Sequence, residues 1–192
     1  MRGPMRKLAI LMLGASAAFA APSTPSAAPL QDENLFVTIP RGFQIGKHGD
    51  NGPMTGAEYI PQGETVSDWS RMVTVQVFHN MKSFDPDRFA EGVKQQWLAA
   101  CAGSEVVKSK DGQENGYRFS LWVFACPLNP KTGKPENMFA KFISGNDSFY
   151  SIQYAYRSAL TKDIIPPAMT YLGSVQACDS RLPDRPCPKI AP

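Results

Sequence analysis

Residues 72–97 read MVTVQVFHNMKSFDPDRFAEGVKQQW, and this stretch decides the fold class. Its first part alternates between apolar and polar residues, so that Val73, Val75 and Val77 share one side of an extended chain. Strict alternation of this kind is typical of a half-buried β-strand.

An α-helix is predicted directly after this strand. Asp85 suits the N-cap, Pro86 suits the first helical position, and Phe84 is placed to pack against Phe89. The predicted core face of the helix comprises Phe89, Val93, Trp97 and Ala100.

Other apolar runs bounded by turn residues predict further strands at 35–39, 42–46, 55–60, 105–109, 117–126, 137–144 and 149–157. The first two are predicted to form an opening hairpin, and residues 47–53 and 110–116 are predicted loops. A second helix is predicted over 164–172, after which 175–178 is a short closing strand. The predicted class is α+β: an antiparallel β-sheet of about seven strands, with one long helix and one short C-terminal helix packed on it.

The first 20 residues have the features of a secretory signal peptide. Arg2, Arg6 and Lys7 precede a short apolar run, and Ala18-Phe19-Ala20 provides the small residues of a cleavage site. The formal net charge of the whole sequence is +3, so loss of these three cations leaves a net charge of zero. A neutral chain without a clustered basic face excludes nucleic acid as the predicted partner. No later segment is long and apolar enough for a transmembrane helix, so none is predicted in the mature chain.

The predicted domain organisation follows from composition. Residues 21–33 form a disordered linker rich in Ala, Pro and Ser, and residues 34–178 form a single α+β domain. Residues 179–192 are a Pro-rich tail stapled by a disulfide.

Four cysteines are predicted to form two disulfides, because pairing is the default for an even number in an oxidising compartment. Three pairings are possible. We favour Cys101 with Cys126, which ties a helix end to a strand, and Cys178 with Cys187, which fastens the tail. A metal site is not predicted, since no C-x-x-C pair occurs and both histidines lie far upstream.

Several motifs resemble known families. The chain resembles a family of small exported proteobacterial proteins of uncharacterised function over Asn34 to Cys187. The matching motifs are Ile39-Pro40-x-Gly42-Phe43, Glu58-Tyr59-Ile60-Pro61-x-Gly63-Glu64-x-Val66-x-Asp68-Trp69, Asn129-Pro130-x-Thr132-Gly133-Lys134-Pro135-Glu136 and Asp147-Ser148-Phe149-Tyr150. In element order the chain also resembles the PsbP-like α/β/α sandwich, although nothing matches a PsbP manganese or calcium site. Neither resemblance implies an activity.

The candidate ligand-binding residues are Glu58, Tyr59, Glu64, Asp68 and Trp69, which combine carboxylates and aromatic rings around one loop. A sugar, a peptide or a cationic ligand can stack on Trp69 and bind Asp68 or Glu64. The alternative is that Trp69 closes the sheet edge and Asp68 caps the turn before the next strand. The tyrosines Tyr150, Tyr154 and Tyr156 are interpreted as a core stripe.

Two functions remain open at this point. The first is an exported envelope protein, periplasmic or secreted, that binds an unknown partner or small ligand without catalysis. The alternative is a periplasmic hydrolase that uses Glu64 or Asp68 together with His79. The sequence contains no G-x-S-x-G, H-E-x-x-H or P-loop motif, and no cofactor and no catalytic residue are predicted.

Overall fold

The computed structural model describes residues 31–188 of the chain. The predicted signal peptide, residues 21–30 of the predicted linker and residues 189–192 of the tail lie outside the described residues. The described residues form nine strands and two helices. In chain order they are β1 (Glu33–Phe36), β2 (Phe43–Asp50), β3 (Met54–Pro61), β4 (Arg71–His79), α1 (Pro86–Ala100), β5 (Glu105–Glu114), β6 (Tyr117–Asn129), β7 (Lys134–Ser144), β8 (Ser148–Tyr156), α2 (Ile165–Ser174) and β9 (Gln176–Asp179).

Seven of the strands form one antiparallel sheet in the order β2-β3-β4-β8-β7-β6-β5. Strands β1 and β9 pair antiparallel in a second, two-stranded sheet. The predicted α+β class and the antiparallel sheet of about seven strands are therefore confirmed. Neither described helix has the length and apolar character that crossing a membrane requires.

The two faces of the large sheet have different cores. Helix α1 packs mainly on β5, β6 and β7 over a cluster rich in phenylalanine, where Phe89 meets Phe142 and Phe149 at ring distances of 5.2 and 4.7 Å. Helix α2 packs on β7 and β8 on the other face. Here the three predicted stripe tyrosines, Tyr150, Tyr154 and Tyr156, are all buried.

The start of α1 agrees with its sequence signals. The Asp85 side chain accepts hydrogen bonds from the backbone amides of Asp87 and Arg88, at 2.8 and 3.2 Å. These bonds to the carboxylate lower the pKa of Asp85. The predicted core face of α1 is wrong at its end, since Ala100 is exposed and Ala90 is fully buried.

Three local predictions are wrong in their pairing or length. Strand β1 does not form a hairpin with β2 but pairs with β9, because Leu35 and Val37 pack into the core on the α2 side. Strand β2 continues through the predicted loop to Asp50. Strand β5 continues to Glu114, and the hairpin loop is only Asn115-Gly116, with φ of 48° and 75°. Two consecutive positive φ angles are the signature of the tight turn that joins twisted strands.

Both disulfides join the pairs favoured from the sequence. Cys101 bonds to Cys126 and Cys178 to Cys187, and no described cysteine is free. The first joins the C-cap of α1 to β6, and the second joins β9 to the following tail.

Candidate functional site

Trp69 lies in the core at the end of the sheet. Only 6% of it is exposed, and it packs with Ile60 and Met72. The guanidinium of Arg157 lies over its ring at 4.0 Å from the ring centre. Because this cation occupies the ring face, Trp69 offers no open face for a stacked ligand.

The two carboxylates of the same loop have partners within the protein. Glu64 accepts hydrogen bonds from the backbone amide and the hydroxyl of Ser70, at 2.6 and 2.7 Å. Asp68 pairs with Lys134 at 3.1 Å. The turn before β4 is therefore capped by Glu64 and by the hydroxyl of Thr65. The alternative prediction, that the Asp68 side chain caps this turn, is wrong.

Glu58 and Tyr59 lie on opposite faces of the sheet. Glu58 faces an open groove on the same face of the sheet as α1, whereas Tyr59 packs against the core on the α2 side. Adjacent strand residues alternate in direction, so these two cannot serve one ligand. The structure brings together Glu64, Asp68 and Trp69 but separates them from Glu58 and Tyr59.

The proposed pairing of Glu64 or Asp68 with His79 is wrong. His79 lies at the far end of β4 and hydrogen-bonds to the Thr55 hydroxyl at 3.1 Å. Strand β4 has nine residues, so the two ends are about 26 Å apart at roughly 3.3 Å per residue. A general base has to lie within one water of its partner, and this hydrolase site is therefore contradicted.

A cavity next to the Trp69 loop brings together polar groups that the sequence did not single out. It has a volume of about 390 Å³ and lies between the start of β4, the end of β8 and the start of α2. We call it the tyrosine–arginine pocket. Its polar lining comprises Ser70, Arg71, Tyr154, Tyr156, Arg157, Ser158 and Asp163. Ile164 and Pro167 provide its apolar side.

The two tyrosines of this pocket are held rigidly. Their rings stack at 4.7 Å, and the residues are only 5% and 6% exposed. Tyr154 also meets Phe43 and Tyr171 edge to face at 6.3 and 5.2 Å. Burial raises the pKa of Tyr156, as does the nearby Tyr154 hydroxyl, so Tyr156 stays protonated and able to donate at neutral pH.

Arg71 is one of the two cations that line this pocket, together with Arg157. It is directly opposite Tyr156 in the β4–β8 register and therefore lies on the same face of the sheet. Its guanidinium lies over the ring of Phe43 at 5.3 Å, and its charge partly opposes the rise in the pKa of Tyr156. Within residues 31–188, Arg71 forms no salt bridge, whereas Arg157 is bound to Ser67 and Glu136.

A second cavity, of about 370 Å³, lies on the α1 face of β2, β3 and β4. We call it the β2–β4 groove. Its lining includes Lys47, Gly49, Gly56, Glu58, Thr74 and Gln76. In the described part of the chain, no three His, Cys, Asp or Glu residues are grouped as a metal site would require.

The sequence prediction missed Arg71 and the two tyrosines as pocket residues. The sequence predicts Tyr154 and Tyr156 as part of a core stripe, and both are buried as predicted. They line the cavity together with Ile164 and Pro167 from the start of α2 and with Arg71, which lies in a distant part of the sequence. No local pattern in the sequence carries that information.

Comparison with known proteins identifies no family for this chain. No family model matches it, and no curated protein matches it by sequence. Among solved structures, it is similar to that of LpqN, described as involved in cell envelope biogenesis of Mycobacterium tuberculosis. The identity is 12% and the TM-score 0.44, over 77% of this chain and 83% of that chain. A likeness at this level carries no functional argument, and both resemblances drawn from the sequence stay predictions.

Proposed function

We propose that this chain is an exported, non-catalytic binding protein whose tyrosine–arginine pocket takes a small sugar or polyol bearing a carboxylate or a phosphate. Export is supported by the two disulfides, since such bonds persist in oxidising compartments. A periplasmic or secreted location, with a cleaved signal peptide, follows from the same proposal.

The observation that carries the proposal is Arg71. A guanidinium presents a planar set of donors that matches a carboxylate or phosphate in two parallel hydrogen bonds. Arg71 has no carboxylate partner within the described residues, and it opens onto a cavity. An anionic group of a ligand would supply the missing partner.

The remaining lining favours a ligand that also carries hydroxyl groups. The hydroxyls of Tyr154, Tyr156, Ser70 and Ser158 can each donate and accept, and the Asp163 carboxylate accepts. Sugars and polyols present the complementary mixture of donors and acceptors. A cavity of about 390 Å³ lies within the usual range of roughly 300–1,000 Å³ for small-ligand sites.

Binding without catalysis is supported by the distribution of titratable groups. The two histidines lie on β2 and at the end of β4, and neither lines the tyrosine–arginine pocket. Asp163 is the acidic residue of its lining, and it is exposed. This arrangement provides recognition groups but no base held next to a nucleophile.

Isothermal titration calorimetry tests the proposal with glucuronate, glucose 6-phosphate and glucose as probes. We expect at least one of the two anionic sugars to bind, and glucose to bind at least tenfold more weakly. Arg71→Gln should weaken anion binding at least tenfold. Arg88→Gln is the matched control. Arg88 also lies over an aromatic ring, that of Phe84 at 5.6 Å, but on the opposite face of the sheet, so the variant removes the same charge away from the pocket.

The two anionic probes distinguish a carboxylate ligand from a phosphate ligand. The proposal fails if neither anionic sugar binds. It also fails if glucose binds as tightly as they do, or if Arg71→Gln and Arg88→Gln have equal effects.

A further inference from the structure

We propose that the β2–β4 groove is a separate binding site for a small zwitterion, a free amino acid or a dipeptide. The site is independent of the tyrosine–arginine pocket, because it lies on the α1 face of the sheet, whereas Arg71 and Tyr156 face the α2 side. It involves Glu58, one of the predicted site residues.

The first observation is a pair of opposite charges that stay apart. Lys47 and Glu58 are direct partners in the β2–β3 register, so their side chains leave the sheet on the same face. Facing residues of opposite charge commonly form an ion pair, yet these two do not approach within 4 Å. Neither forms a salt bridge with any other residue from 31 to 188. An ammonium and a carboxylate therefore both line the cavity with their charges unmatched.

The second observation is the space between and beside these charges. Gly49 and Gly56 are direct partners on the same face, two residues along β2 and β3 from Lys47 and Glu58. A Cβ atom at Gly49 would meet nothing within 4 Å, and one at Gly56 would reach only ordinary contact at 3.7 Å. The glycines are therefore not required by close packing of neighbouring atoms. Their effect is to leave the cavity open.

The floor of the groove is polar, and its hydrogen-bonding groups have only weak partners within the protein. The Gln76 amide donates to the Met54 sulfur at 3.6 Å, and its oxygen accepts from Gln153 at 3.3 Å. A thioether sulfur is a weak acceptor. The Gln76 amide and the Thr74 hydroxyl beside it are thus available to a polar ligand at small cost.

These features specify the ligand's charge pattern. Glu58 would bind an ammonium group and Lys47 a carboxylate, so that one ligand neutralises both. Asp50 also lines the groove, but its carboxylate accepts a hydrogen bond from the Gly52 amide at 2.7 Å. A purely anionic or purely cationic ligand would therefore leave either Glu58 or Lys47 unmatched. An α-amino acid or a dipeptide carries both groups and fits a cavity of about 370 Å³.

The test uses NMR-detected titration with the twenty common amino acids and dialanine. For the tightest binder we then compare the parent compound with its N-acetyl and carboxamide derivatives, each of which lacks one charge. In the wild-type protein, each derivative should bind at least tenfold more weakly than the parent. In Glu58→Gln the partner of the ligand's ammonium is gone, so the N-acetyl derivative should bind about as well as the parent compound. In Lys47→Gln the partner of the ligand's carboxylate is gone, so the carboxamide derivative should bind about as well as the parent compound.

Two further variants address the cavity itself. Gly49→Val places a side chain in the groove on an exposed strand that tolerates β-branched residues, and it should abolish binding. His48→Val is the matched control, since it changes the neighbouring residue on the opposite face of β2 and should bind normally. Arg71→Gln should also bind normally, which separates this site from the tyrosine–arginine pocket.

The inference is overturned if none of these zwitterions binds, or if the singly charged derivatives bind as well as the parent. It is equally overturned if Gly49→Val retains binding, or if Glu58→Gln and His48→Val have the same effect.

Discussion

The guanidinium of Arg157 covers the ring of Trp69 at 4.0 Å and closes the end of the sheet. The same side chain donates to the Ser67 carbonyl at 2.9 Å and lies 3.5 Å from the Glu136 carboxylate. It thereby ties the loop before β4 to β7 and β8. The loop, in turn, supplies Ser70 to the tyrosine–arginine pocket.

Replacing Arg157 should destabilise the fold. Arg157→Met removes the cation from the Trp69 ring and leaves Glu136, whose side chain is 17% exposed, without its cationic partner. We expect a loss of about 2 kcal/mol in the free energy of unfolding, measured with urea. Arg88→Met, which also removes a cation from an aromatic ring, should cost less than about 0.5 kcal/mol because Arg88 is exposed. Equal losses in the two variants would contradict this role for Arg157.

The buried Lys141 should be the most sensitive single position beneath α2. It is fully buried, donates to the carbonyls of Leu172 and Val175 at 3.2 and 2.6 Å, and pairs with Glu114. Burial lowers its pKa, and Glu114 opposes that shift. Lys141→Met leaves these acceptors unpaired, so we expect a loss of about 2–3 kcal/mol together with faster hydrogen exchange in α2.

Lys110 provides the control for Lys141. Both ammonium groups lie over the Phe119 ring, at 5.8 Å for Lys110 and 4.8 Å for Lys141, but Lys110 is exposed. Lys110→Met should change the free energy of unfolding by no more than about 0.5 kcal/mol. If Lys141→Met and Lys110→Met had the same free energy of unfolding, the buried hydrogen bonds of Lys141 would contribute nothing to stability.

The two disulfides should differ in their contribution to stability. Their sequence separations are 25 residues for Cys101–Cys126 and 9 residues for Cys178–Cys187. Loop-closure entropy then predicts losses of about 3.5 and about 2.6 kcal/mol when each pair is replaced by alanine. Urea unfolding of the two double variants measures both values, and a larger loss for the shorter loop would refute the entropic explanation.

The region of β1 and β9 should lose stability in acid. Hydrogen bonds from the Arg181 side chain, at 2.8 and 2.6 Å, lower the pKa of Asp179 below its ordinary value of 3.8. The resulting stabilisation is fully present above pH 3.8 and is lost as the pH falls through the lowered folded value.

Unfolding measured between pH 2 and pH 6 checks this dependence. Asp179→Asn should flatten the acid side of the stability profile, whereas Asp184→Asn, at a side chain that is 77% exposed, should leave it unchanged. An acid profile of Asp179→Asn that matches the wild type would rule out Asp179 as its source.

Much of the secondary structure follows from local signals. The N-cap at Asp85, the alternation of β4 and the run of β6 each depend on neighbours within a few residues, and each element forms where it was predicted. The favoured disulfide pairs also agree with the structure, and each closes a short loop, of 25 and 9 residues in sequence separation.

Long-range relationships could not be predicted in the same way. Glu33 in β1 is the register partner of Asp179 in β9, and it also accepts hydrogen bonds from the amides of residues 146–148. The pairing depends on core packing rather than on any local pattern. For the same reason, the sequence identifies Trp69 as a candidate residue but does not identify Arg157, which follows it by 88 positions and lies over its ring.

The central claim is that an anionic sugar binds where Arg71 meets Tyr154 and Tyr156, and NMR chemical-shift mapping tests it most directly. Titration of the mature protein with glucuronate and with glucose 6-phosphate should shift the signals of these three residues and of Ser158. The same signals should remain unmoved in Arg71→Gln. Shifts confined to other surfaces, or signals that move as much in Arg71→Gln as in the wild type, would contradict the claim.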